Sequence, residues 1–210
     1  MARAATRLSR IRRESFAMIT DVLAGARFLF RNSRLQAIGL LLCLVTATGC
    51  ARLVSVDYQP TNPLKGHGTV GTAPFRYQAT DEHRVRPRQV GTHPSAKTEL
   101  FLTQEIGAFF AEALRMELGR SGYSLTEPSD RIVSGTITRF YLDWSSMEDR
   151  SFELAAVYTV QSGEKTLFSW NCSSVQKGQN RLAEDGILIR RGTADCMQRF
   201  IEAAQGANAF

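Results

Sequence analysis

The chain is poor in the residues that build metal sites. Its three histidines, His67, His83 and His93, stand far in sequence from Cys172 and Cys196, and no C-x-x-C pair occurs. Structural zinc takes Cys and His ligands at short, regular spacings, so the pattern implies no metal. Catalytic signatures are also missing. No serine-centred nucleophile motif, paired-carboxylate arrangement or phosphate loop stands in the context it needs. That argues against an enzyme, names no catalytic residue and implies no cofactor. Long apolar runs are scarce as well. The longest uncharged one, Leu35 to Ala51, has 17 residues, at the bottom of the range for a spanning helix.

Excess charge disappears once its distribution is followed. The chain has 26 Lys and Arg against 20 Asp and Glu, a net charge of +6. Residues 1–49 hold eight of the arginines but only Glu14 and Asp21, so the remainder carries eighteen charges of each sign. A neutral domain has no broad electrostatic footprint for a polyanion, which argues against nucleic acid as a partner.

What is present begins with a leader. Arg31 and Arg34 flank the start of the apolar run, its core spans Ile38 to Val45, and the small residues Thr46, Ala47, Thr48 and Gly49 follow. Positive charge, a short apolar core, then small residues is the layout of an export signal. The segment Ala47-Thr48-Gly49-Cys50 resembles a bacterial lipobox, well at Thr48, Gly49 and Cys50 and less well at Ala47, where Leu is commoner. The resemblance implies cleavage before Cys50, thioether lipidation of its sulfur and acylation of its new amino group. Multiple acyl chains would hold the protein on a membrane, since each buried CH₂ contributes about 0.8 kcal/mol. Ala51, not Asp, follows the cysteine, and in such lipoproteins this favours the outer membrane with the domain facing the periplasm. Two readings compete: an uncleaved anchor, and a cleaved secretion signal with a coincidental cysteine. The segment Arg10 to Phe16, "RIRRESF", looks like a twin-arginine motif but lies too far before the apolar core; translation from Met18, or a long leader, explains it better. Residues 1–49 are therefore set aside from the fold.

Residues 50–66, with Pro60, Pro63 and Gly66, read as a lipidated end and tether. The domain is expected over 67–206. Residues 67–78 alternate as a first strand broken by Pro74, which suits a sheet edge; 79–97 read as a long exposed loop. Apolar residues from Leu102 to Leu118 recur at three- and four-residue spacing, predicting a helix over 100–120 that closes on Gly122 with Tyr123 packing back. Strands are predicted over 131–144, 151–161 and 165–176, the last two joined by a tight turn at Ser162-Gly163. A final helix is predicted over about 190–204, limited backwards by Gly186 and Gly192. The order β-α-β-β-β-α predicts a two-layer α+β domain, a mainly antiparallel sheet of about four strands covered by two helices.

Cys43 leaves with the leader, so Cys172 and Cys196 remain as a pair. In an oxidising compartment an even pair suggests one disulfide; two separate buried thiols are the alternative. Gly66-His67-Gly68-Thr69-Val70-Gly71 is a literal G-x-G-x-x-G, but prolines crowd it on both sides where a dinucleotide site needs a strand and a helix. Asp81-Glu82-His83 reads as a solvated loop. Arg84, Arg86 and Arg88 alternate along an extended stretch and are candidates for contact with lipid headgroups or a glycan carboxylate. Trp144, at a strand end, and Tyr141 are candidate ligand contacts, whereas Trp170 belongs on the apolar face.

The stretches 111–125 and 130–144, "AEALRMELGRSGYSL" and "DRIVSGTITRFYLDW", resemble small bacterial lipoproteins of the YajG type and the auxiliary lipoproteins of ABC-type transport. The matching residues are Leu118, Gly122, Tyr123, Ile132 and Gly135, and "CMQRFIEAA" fits their last helix. The resemblance implies an α+β fold and an envelope location, and transfers no catalytic residue. The leading expectation is a non-catalytic lipoprotein serving an envelope protein partner, in lipid transport or cell-wall assembly. A glycan- or lipid-binding module is the alternative, and an envelope hydrolase built on the Asp81-Glu82-His83 loop a distant third.

Overall fold

Three long strands carry the fold: Ile132–Asp143, Asp149–Ser162 and Lys165–Gln179. They run antiparallel, the middle strand paired along nearly its whole length to both neighbours. In that middle strand Phe152, Leu154, Ala156, Tyr158 and Val160 are buried, so the predicted alternation sets the core face. The first of the three carries a β-bulge between Ile137 and Arg139. The extra residue reverses the alternation, which is why the buried set runs Val133, Ile137, then Phe140 and Leu142. The turn after Ser162 is made by Gly163 and Glu164, with Gly163 at φ +57°.

The structure, a computed structural model, describes residues 51–61, 63–78, 86–93, 96, 98–144, 149–179 and 184–210. In chain order its elements are β1 (Ala51–Val54), β2 (Thr69–Thr72), β3 (Arg76–Tyr77), β4 (Gln89–Thr92), β5 (Glu99–Leu102), α1 (Ile106–Arg120), β6 (Ser124–Leu125), β7 (Ile132–Asp143), β8 (Asp149–Ser162), β9 (Lys165–Gln179) and α2 (Asp185–Gly206). The class is α+β as expected, with two helices, but the sheet has nine strands among the described residues rather than four. The additional ones are short. The free edge of β7 takes β2, β3 and β4 in succession, all parallel to it; β6 adds to β2, and β5 and β1 add beyond β4.

Four expectations are corrected. Residues 51–66 are not a free tether: β1 pairs in parallel with β5, and Val54 and Tyr58 are buried. The loop expected over 79–97 contains β4. The helix expected from 100 begins at Ile106, because Leu100 and Leu102 are buried at the two-residue period of β5. The last helix starts at Asp185, with Gly186 and Gly192 inside it. These glycines mark close approach: a Cβ at 186 would crowd the Ser55 carbonyl, and one at 192 the Phe152 ring. Pro74 falls in the break between β2 and β3.

The end of α1 follows the reading from sequence. Gly122 has φ +91°, its N–H donates to Gly119, and the N–H of Tyr123 donates to Leu118, a Schellman closure. The core is aromatic. Tyr158 stacks on Phe200 at 4.5 Å, and Phe140 meets Phe152 edge-on at 4.9 Å, so α2 is clamped to β8. Cys172 of β9 and Cys196 of α2 are joined in a disulfide, Cα atoms 5.7 Å apart.

Candidate functional site

An accessible groove and a buried corner each gather polar groups. The first is a groove of about 770 Å³ beside β3, between Pro74, Phe75 and Tyr77 on one side and Gln104, Gly107 and Arg115 of the α1 region on the other. Gly107 lets the helix approach, since a Cβ there would overlap the Phe75 carbonyl. Arg115 donates from Nε to Thr72 Oγ1 at 2.8 Å and from Nη2 to Glu127 at 3.1 Å. The groove's charged lining is Glu105, Glu112 and Arg115, without His, Cys or Lys.

The second place is the corner where β1 meets the start of α2. Asp185 is fully buried and accepts a hydrogen bond from Arg150 of β8, itself 4% exposed. Its other oxygen lies 2.9 Å from Nη2 of Arg52. One buried carboxylate thus links β1, β8 and α2. A second buried acid holds the chain after β1: Glu117 of α1 accepts from the Tyr58 hydroxyl at 2.7 Å and from the Thr61 N–H at 3.0 Å. Burial, reinforced by the Glu117 contact, pushes the Tyr58 phenol far above its ordinary pKa. Burial likewise raises Tyr158 and Tyr123. Sequence reasoning missed both clusters. A signal existed for one: Glu117 lies four residues after Ala113 and three after Leu114, on the apolar stripe of α1.

The ligand contacts expected from sequence are not brought together. Arg86 and Arg88 are exposed just before β4. Arg86 lies 3.9 Å from Glu99 and 5.7 Å above the Phe101 ring, and Arg88 Nε donates to the Leu102 carbonyl. Tyr141 is half-buried under the Arg139 guanidinium at 4.5 Å, and Arg139 pairs with Glu153 at 2.6 Å. Trp144, expected to be exposed, is half-buried; its Nε1 donates to the Leu142 carbonyl and Arg150 lies over its ring at 5.4 Å. Trp170 packs near Tyr158 and Phe200. Arg84, the Asp81-Glu82-His83 cluster and Cys50 lie outside the described residues. The G-x-G-x-x-G segment leads into β2, a strand, rather than into a helix. Among the described residues no group of three His, Cys, Asp or Glu is placed to hold a metal, and no helix is long and apolar enough to cross a membrane.

These features define a two-layer α+β domain whose first strand is tied through Arg52 to the buried carboxylate of Asp185. Solved structures share that fold. A crystal structure of protein XCC0632 from Xanthomonas campestris, assigned to the family model DUF330, superposes with a TM-score of 0.60 at 9% identity, over 75% of this chain and 96% of that one. The crystal structure of an uncharacterized protein superposes with a TM-score of 0.50 at 10% identity, over 72% and 99%. No family model and no curated protein matches the chain.

Proposed function

We propose that the chain is a bacterial lipoprotein anchored through Cys50 on the outer membrane, facing the periplasm, and that it is a non-catalytic adaptor or auxiliary subunit of an envelope system. Lipid transport and cell-wall assembly are the two kinds of system the reading favours. The observation that carries it is the run of positive charge, apolar core and small residues ending on Gly49-Cys50, with a compact unit running from Cys50 to Phe210. The likeness of 111–125 and 130–144 to YajG-type and ABC-transport auxiliary lipoproteins supports the same reading. So does the disulfide, which suits an oxidising compartment.

Cys50→Ala with fatty-acid labelling and fractionation tests it. The expected result is loss of label and loss of membrane association. Retained label, or unchanged fractionation, would sink the lipoprotein reading.

A second reading, a glycan- or lipid-binding module on the same anchor, draws on the groove beside Phe75 and Tyr77 rather than on Tyr141 and Trp144, whose polar and ring contacts are met within the domain. Mass spectrometry of the purified protein should then detect a copurifying lipid or glycan; Ala108→Trp on the groove wall should remove it.

A further inference from the structure

We infer that the groove between α1 and the β2–β3 stretch receives an extended segment of a partner protein, with two lysine or arginine side chains, three residues apart, set against Glu105 and Glu112. This rests on the adaptor reading proposed above, and it assigns the surface that meets the partner and the chemistry the partner brings.

The first argument is shape. Pro74 interrupts the chain between β2 and β3, and the α1 residues that line the groove opposite it include Gly107, Ala108 and Ala111, all small. Helix and strand touch where Gly107 meets the Phe75 carbonyl, and the groove of about 770 Å³ opens beside that contact. Its lining runs along α1 from Glu105 to Arg115, a rise of about 15 Å. Spread along that length, the space is a channel about 8 Å across, narrower than the roughly 10–12 Å of a helix with its side chains. An extended chain advances about 3.1 Å per residue, so about five residues fill it. The Arg115–Thr72 hydrogen bond, 2.8 Å long, bridges helix and strand at one end. Gln104 and Pro87 lie toward the other, where α1 begins.

The second argument is charge. Glu105 and Glu112 line the groove seven residues apart, on one face of α1. Glu105 makes no ion pair among the described residues, and Glu112, 62% exposed, lies 3.9 Å from Arg115. Arg115 is the one cation of the lining, and its Nε and Nη2 are committed to Thr72 and to a third carboxylate, Glu127. Three carboxylates thus meet one guanidinium. The positive end of the α1 dipole adds about half a charge, too little to reverse the sign. Arg86 and Arg88 flank Pro87 but do not line the groove; Arg86 lies by Glu99 and the Phe101 ring, and Arg88 donates to the Leu102 carbonyl. Glu105 and Glu112 stand about 10 Å apart along the helix. Side chains three residues apart on one side of a polyproline-like chain are about 9 Å apart, so a pair of cations at that spacing reaches both acids. The wall of Pro74, Tyr77 and Pro87 takes their aliphatic stems. An anionic lipid or an acidic glycan would meet the same carboxylates as a repulsion.

The test uses the full-length protein in the cell that makes it. A photoreactive benzoylphenylalanine replaces Gln104, an exposed residue of the groove, or, as control, Glu202, an exposed residue of α2. After irradiation and proteolysis, mass spectrometry reads what is joined at each position, and circular dichroism verifies that each variant is folded. The expected result is a protein segment joined at 104 and not at 202, carrying two Lys or Arg residues three apart. Glu105→Gln combined with Glu112→Gln should lower its yield about fivefold, while Glu202→Gln leaves it unchanged. A joined segment without the basic pair, a joined lipid or glycan, equal labelling at 202, or a yield indifferent to both glutamates overturns the proposal. The absence of any adduct at 104 overturns it too, and a lysine-directed crosslinker then separates the two readings. A partner captured through another surface leaves the adaptor reading standing; no partner at all overturns both.

Discussion

Asp185→Asn should be among the most damaging single changes to this domain. Asp185 is fully buried, and its main partner, Arg150, is 4% exposed. Removing the carboxylate charge takes the Asp185 ion pair from a guanidinium held in the interior, a loss that typically costs about 3–5 kcal/mol. The second partner, Arg52, keeps 26% of its side-chain exposure and adds less than about 1 kcal/mol, because solvent screens it. The ring of Trp144, 5.4 Å from Arg150, compensates for about 0.5–1 kcal/mol at most. With a urea dependence of about 2 kcal/mol per molar, the unfolding midpoint should fall by about 2 M. The decisive control is the double variant Arg150→Met with Asp185→Leu. Replacing a buried pair by apolar groups is often neutral or stabilising, so its midpoint should recover most of the loss. Equal losses in the single and double variants, or a drop under about 0.5 M in the single one, would show that the pair is not an isolated buried charge couple.

Two other perturbations test the packing. Replacing both Cys172 and Cys196 by Ser removes a link between residues 24 apart in sequence and should cost about 3 kcal/mol by the loop-entropy relation, read as a lower denaturation midpoint against the wild type and abolished when both are measured in reductant. Gly135→Ala places a methyl group against the Val157 carbonyl and the Phe75 ring; overpacking of this kind costs about 1–3 kcal/mol, and thermal unfolding should show it, whereas the same change at Gly206, which has open space around it, should leave the melting temperature unchanged or slightly raised.

The parts of the fold legible in the sequence are those long enough to carry a period. The alternation of Phe152 to Val160 survives over five inward positions, and α1 announces its end through Gly122 and Tyr123. The short parallel strands were not legible, because two to four residues cannot display a repeat. Leu102 and Ile106 show the ambiguity most directly. Their spacing of four matches a helix, yet Leu102 pairs with Val54 in β5 and only Ile106 begins α1. Gly186 and Gly192 misled for a different reason. Helix propensity counts glycine as a breaker, but at these positions the missing Cβ admits Ser55 and Phe152, and close packing outweighs propensity.

The buried corner was hidden from the sequence, whereas the anchor proposed at Cys50 rests on the sequence alone. Gly49-Cys50 can be recognised locally, since a signal is read as a linear segment. Arg52 cannot, because its partner Asp185 is distant in sequence and each, viewed alone, is an ordinary charged residue expected in solvent. Trp144 and Tyr141 erred in the opposite sense: an aromatic at a strand end looks free until the fold supplies the Leu142 carbonyl or the Arg139 guanidinium. The same folding that occupies those rings leaves Leu53 uncovered, although alternation alone gives a leucine in a four-residue strand an even chance of either face. Which side it takes is decided by Arg52 and Val54, whose ion pair and burial both require the inward direction. The buried carboxylate at 185 therefore does more than stabilise the interior. Together with the burial of Val54, its contact with Arg52 favours the register in which Leu53 faces out, three positions from the cysteine proposed to carry the lipid.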